Sequence, residues 1–171
     1  MRRVADSADV PLTENPAPAG ISVEVCESGW DFARPFTCPI TPAASEIDGL
    51  NHTNNAVYVQ WCEAVAWAHS KSLGLDIGDY RRLDRGMAIR HADYDYLLPS
   101  SLGESLLLGT WLTASDGKLT LDRRFQLRRA ADGVTVLRGH WALVCIELSS
   151  GSARRMPPEF REIYLAALVA A

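Results

Sequence analysis

Residues 54–72, NNAVYVQWCEAVAWAHSKS, constrain this chain more than any other segment. At about 100° per residue, Ala56, Val57, Tyr58, Val59, Trp61, Cys62, Ala64, Val65, Ala66, Trp67 and Ala68 leave no face polar. Gln60 and Glu63 are the only mid-helix polar residues, and they share one face. A helix apolar all round is buried on most sides. This one is too short and too polar at its start to cross a membrane. It needs a sheet that curls around it, and usually a second subunit. The expected class is therefore α+β, one long central helix wrapped by a curved antiparallel sheet. Lys71 suits the end of the helix, and Gly74 can take the left-handed cap beyond it.

Strand-like segments follow. They are GMAIRHADYDYLLP (86–99), ESLLLGTWLTAS (104–115), KLTLDRRFQLRRA (118–130) and TVLRGHWALVCIEL (135–148). The turn signals between them are PSSLG, SDGK and AADGV, and the two Asp-Gly steps are hairpin chemistry. This order predicts a continuous antiparallel meander. Shorter β-type pieces occupy 22–26 and 36–41, and MPPEFREIYLAALVAA (156–171) reads as a short amphipathic helix opened by proline. Residues 1–20, rich in Pro, Ala and Asp, read as a flexible arm before a single domain over 21–171.

The 171 residues are enough for a substantial core without disulfide or metal staples. A formal net charge of -4 argues against a general nucleic-acid binder, whose signature is a basic surplus. Cys26, Cys38, Cys62 and Cys145 are scattered and form no C-x-x-C pair, which fits reduced, structural thiols. MRRVADSADV lacks the apolar stretch of a secretory signal, and no run approaches a membrane span, so the expected compartment is the cytoplasm. His69, His91 and His140 show no metal-ligand spacing, and no metal or cofactor is expected. The chain has no G-x-S-x-G, no G-x-x-x-x-G-K and no G-x-G-x-x-G after a strand, which excludes the serine α/β-hydrolase mechanism and the nucleotide-binding loops.

Immediately before the helix, EIDGLNHTNN packs Asp48, His52 and three asparagines into eight residues. Polar groups this dense normally stay in a solvated turn, yet the chain runs straight from them into apolar residues. A helix start offers unsatisfied N–H donors and the positive end of the dipole. Those are what an oxyanion forming at a carbonyl requires. A carboxylate beside them can activate water or attack directly. Asp48–Gly49 is equally a good turn pair, and Thr53 or Asn54 a good N-cap.

The residues D-G-L-N-H-T-N-N-A-V-Y followed by W-C-E resemble the D-x-x-x-H-x-N-N-x-x-Y…E signature of hotdog-fold thioesterases. This group includes the 4-hydroxybenzoyl-CoA thioesterases and acyl-CoA thioester hydrolases, with plant acyl-ACP thioesterases as relatives. The resemblance covers residues 35–148. It implies that Asp48 is the nucleophile or general base, and that the backbone N–H of Asn55 polarises the thioester carbonyl. His52 matches a motif histidine that the plant enzymes use in catalysis. Their asparagine two residues after the aspartate is Leu50 here, and in acyl-CoA members the histidine can simply order the turn. Glu63 stands where a hotdog helix can carry a carboxylate toward a partner's active site, or a satisfied structural one.

Asn54 and Tyr58, beside the helix start, are assigned as substrate contacts. Arg90 and Arg124 are assigned to the phosphates of CoA; Arg123 and Arg124 point to opposite faces of a strand, so one of them at most can serve. The activity implied is hydrolysis of an acyl-CoA, or acyl-ACP, by a homodimer or homotetramer. A hotdog dehydratase or hydratase and a non-catalytic acyl-CoA-binding module are the alternatives, since one fold hosts many functions.

Overall fold

The computed structural model describes residues 29–169. The proposed arm at 1–20, the strand-like piece at 22–26 and Cys26 lie outside the described residues. Strand β1 (Phe36–Ile40) leads through a 3-10 turn to helix α1 (Asn55–Ser72) and a short helix α2 (Ile77–Arg82). Strands β2 (Arg85–Tyr96), β3 (Leu106–Ser115), β4 (Thr120–Arg129) and β5 (Thr135–Glu147) follow, and helix α3 (Pro158–Ala166) ends the fold. α1 lies across one antiparallel sheet of five strands, the α+β hotdog arrangement expected from the sequence.

Local chemistry accounts for the element ends. Asn54 caps α1 by accepting the Ala56 N–H at 2.9 Å. At the far end Gly74 has φ +96°, Leu75 donates to the Ser70 carbonyl and Gly74 to that of Lys71, which is the Schellman pattern. Asp116 turns β3 into β4 by accepting from Lys118, Leu119 and Thr120 at 2.9, 2.7 and 2.9 Å. Those three donors hold its carboxyl well below the usual carboxylate range. α2 was not anticipated. Its signal is a capping box in which Asp76 and Asp79 each accept the other's backbone N–H.

The strand order β1-β3-β4-β5-β2 corrects the expected meander. β3 to β5 do form successive hairpins. β2, however, pairs with β5 at the opposite edge, because β3 already has β1 on one side and β4 on the other. PSSLG is therefore not a hairpin turn. It belongs to a connection that crosses beneath the start of α1.

The helix itself also differs from expectation. Val57, Tyr58, Trp61, Cys62, Val65, Ala66, His69 and Ser70 are buried, one continuous stripe facing the sheet. Val59, Glu63 and Trp67 on the other side are exposed in the single chain. The sheet covers one face only and leaves apolar residues of the outer face exposed. Opposite the stripe, Leu121, Arg123, Phe125 and Leu127 alternate inward along β4. Irregular registers at Ile89/His91, Leu112/Ala114 and Leu127/Arg128 add the twist that lets the sheet curl.

Residues 29–33 cover the outer face of the sheet. Trp30 packs edge-on against Trp111 at 5.7 Å, and the Trp111 indole donates to the Ala33 carbonyl. Gly109 permits this approach, since a Cβ there would lie 2.6 Å from the Trp30 ring. At the end of the sheet α3 tucks Phe160 and Tyr164 under Tyr80 of α2, where the two tyrosine hydroxyls share a hydrogen bond. Among the described residues no helix is long and apolar enough to cross a membrane.

Candidate active site

The turn before α1 closes on itself. The Asp48 N–H donates to the His52 carbonyl at 2.8 Å, and the Asn51 N–H donates to the Asp48 carbonyl at 3.1 Å. Asn51 takes φ +61°, a left-handed conformation asparagine tolerates. The Asp48 carboxylate folds over this turn. Its Oδ1 accepts from the Leu50 N–H at 2.8 Å and the His52 N–H at 3.3 Å. Its Oδ2 accepts no hydrogen bond among the described residues. One oxygen fixes the side chain and the other stays open among the described residues.

The helix start beside it has an open donor at Asn55. Ala56 N–H is taken by the Asn54 side chain and Val57 N–H by the Asn54 carbonyl at 2.9 Å. The Asn55 N–H meets no acceptor among the described residues. It therefore carries the positive end of α1 into the space in front of it.

A buried hydroxyl cluster holds these parts in place. Ser100, in the β2–β3 connection, accepts the Thr53 N–H through its carbonyl at 2.9 Å. Its Oγ bonds Thr53 Oγ1 at 2.7 Å and Tyr58 Oη at 2.8 Å, and its own N–H donates to Tyr58 Oη at 3.0 Å. The Tyr96 hydroxyl donates to the Asn55 carbonyl at 3.2 Å. On the other flank the Asn54 N–H donates to the Glu46 carbonyl, and the Trp61 indole to Glu46 Oε1 at 3.1 Å. Helix start and connection are thus tied together by hydrogen bonds.

Together they line a cleft of about 410 Å³. Asp48, His52, Asn54, Asn55 and Tyr58 all border it, so five of the residues singled out in the sequence converge here. His52 is exposed at the lip. The Asn54 carboxamide oxygen is engaged as the cap, and the Tyr58 hydroxyl is committed to Ser100. The other three residues do not join them. Glu63 is exposed and lines a second chamber further along α1. Arg90 is exposed at the β2 bulge, and Arg124 lies on the outer face of β4 in a groove with Asp31, Asp93 and Arg138. Sequence reasoning did not single out Ser100 and Tyr96. Their only trace was a serine pair after a proline and a tyrosine at a strand end.

A single helix cradled by a curled antiparallel sheet, with a carboxylate turn facing an open helix amide, defines a protein of the hotdog class. The chain belongs to the thioesterase-like superfamily, whose family model matches residues 42–164. Solved structures agree on the fold. A 1,4-dihydroxy-2-naphthoyl-CoA thioesterase from Synechocystis is 18% identical, with a TM-score of 0.69 over 77% of this chain and 96% of its own. A Staphylococcus aureus hypothetical protein solved in complex with CoA is 21% identical, with a TM-score of 0.72 over 79% and 86%. The 12:0-ACP thioesterase from Umbellularia californica is 18% identical, with a TM-score of 0.71 over 78% of this chain and 50% of that one. No curated protein is similar enough in sequence to match.

Proposed function

We propose that the protein is an acyl-CoA thioesterase whose reacting centre is the cleft between Asp48 and the start of α1. The observation that carries this reading is the pairing of an uncommitted Asp48 Oδ2 with an uncommitted Asn55 N–H on one cleft. The thioester carbonyl accepts from the Asn55 N–H, where developing negative charge meets the helix dipole. Asp48 either takes a proton from the water that attacks the carbonyl carbon, so that C–S cleavage releases CoA and the acid, or attacks that carbon itself. In the second case C–S cleavage releases CoA and leaves an acyl anhydride on Asp48 that water then hydrolyses to the acid. His52 at the lip orders the turn through its backbone and is placed to touch substrate. The CoA complex of the Staphylococcus aureus neighbour supports CoA as the carrier.

The working form is a homodimer or homotetramer. Supporting this, β2 is an open edge strand with exposed Ile89, Leu97 and Leu98 at and beyond it, and α1 leaves Val59 and Trp67 uncovered. In such an assembly Glu63 and Arg90, which do not reach this chain's own cleft, are available to a second subunit's cleft and to its CoA phosphates.

Thiol release from a panel of short, long and aromatic acyl-CoAs tests the reading, with the wild type and Asp48→Asn side by side. Release that falls by about 10²-fold or more in the variant supports it. Equal release from both removes Asp48 from the mechanism, and no release from any CoA ester overturns the activity.

A further inference from the structure

Between α1 and the inner face of the sheet lies a chamber of about 270 Å³ that the cleft does not use. Its walls are apolar, with Leu121, Leu143 and Trp141 from the sheet and Trp67 from α1. Exposed Glu63 and Ile89 also line it and mark its mouth, which in the assembly proposed above faces the second subunit. Its inner end is Arg123, only 3% exposed.

Arg123 has an unusual set of partners for a buried cation. Its guanidinium donates to His69 Nδ1 at 3.0 Å, Thr110 Oγ1 at 3.3 Å and Ser70 Oγ at 3.3 Å. All three are neutral acceptors. No carboxylate lies within ion-pair distance among the described residues. A guanidinium removed from water is costly unless an anion meets it, and buried arginines are nearly always paired. Ser70, Tyr80 and Tyr164 also line the chamber, and their hydroxyls can rotate to donate to an incoming anion. The inner end is thus rich in donors and lacks a negative charge, under walls that suit an apolar body.

We propose that this chamber is a carboxylate-recognition pocket, which takes the charged end of an amphiphilic acid against Arg123 and its apolar body along Leu121, Leu143 and Trp141. Two sources share that chemistry. One is the distal carboxylate of the acyl group being hydrolysed, which rests on the thioesterase reading above. The other is a free acid, which does not. Ser70 stands about 22 Å beyond Asn55 along the axis of α1. An acyl group reaching Arg123 from the same chain's cleft must therefore be long; a short one reaches it only from a second subunit's cleft, and a free acid needs neither.

Trp67 and Trp141 line the chamber, so tryptophan fluorescence reads its occupancy without turnover. Hexanoate and benzoate are titrated against hexanamide and benzamide at neutral pH, with wild type, Arg123→Met and Arg123→Lys. The acids should bind wild type about ten-fold tighter than the amides. Arg123→Met should lose that preference, while Arg123→Lys, which keeps the charge, should retain part of it and remains readable should the methionine variant not fold. Equal binding of acid and amide by wild type overturns the proposal, as does an unchanged preference in Arg123→Met. A second arm compares short- and long-chain CoA thioesters ending in carboxylate or methyl. A lower KM for the carboxylate in wild type alone assigns the site to the acyl terminus; acid binding without that discrimination assigns it to a free acid. Absence of all hydrolysis would sink the thioesterase reading and leave the fluorescence result standing.

Discussion

Arg123 donates to Nδ1 of His69 at 3.0 Å, inside the fold. Arginine has only donors, so Nδ1 carries no proton and the imidazole is neutral, with its hydrogen on Nε2. Burial, and then the charge of Arg123, push the His69 pKa down to about 4.

That lowered value makes stability depend on pH. Above about 6.5 the imidazole is neutral in both folded and unfolded chains, so it adds no pH dependence. Between there and about 4 the unfolded chain binds a proton that the folded chain does not, so stability falls with falling pH. The full loss is about 3 kcal/mol. Urea midpoints at pH 7.5 and pH 4 should show wild type losing about that much more than His69→Gln, whose other groups titrate alike. Parallel pH profiles for the two proteins would contradict it.

Asn55→Pro isolates the proposed oxyanion donor. Asn55 is the first helical residue, where proline is tolerated, and Asn54 already has the extended φ -59°, ψ 135° that a residue before proline adopts. The variant should keep its melting temperature within a few degrees while kcat falls about 10²–10³-fold. A normal kcat in a folded variant would show that the Asn55 N–H is not the donor.

Tyr58→Phe removes one hydroxyl and strands the Ser100 N–H that donates to it in a buried place. Chemical denaturation should register a loss of about 1–3 kcal/mol. Because Ser100 also holds Thr53, one residue before the cap, kcat should fall alongside KM rising. A loss of stability with unaltered kinetics would mean that the cluster does not position the cleft.

Asp116→Ala removes three hydrogen bonds that its carboxylate accepts from backbone N–H groups at the β3–β4 turn, none of whose residues lines the cleft. Stability should drop by about 1–3 kcal/mol, with the specific activity of the folded fraction unchanged. Thermal melts and thiol release on the same sample separate the two effects.

Val59→Glu with Trp67→Glu places charge on the uncovered face of α1. Sedimentation should show a smaller assembly than wild type if that face is an intersubunit surface. An unaltered mass would direct attention to the β2 edge instead.

The amino-acid sequence determined the α+β class, the ends of α1, the two Asp-Gly hairpins and the cluster around Asp48, because each of these rests on chemistry between near neighbours. Asn54 caps the residue two positions on, Asp48 accepts from residues two and four positions on, and Asp116 accepts from residues two, three and four positions on. Period and spacing expose such features directly. Tertiary structure decided the rest. A sequence apolar on every side of α1 does not say which side meets the sheet, and the strand order put β2 on the far edge because both flanks of β3 were already taken. Alternation foresaw that Arg123 and Arg124 point to opposite faces, but not that Arg123 would be the one turned inward. Nor could it foresee Ser100 beneath Thr53 and Tyr58, 47 and 42 residues apart in the chain. Those relationships depend on which surfaces close over one another, and that is settled only when the whole sheet wraps the helix.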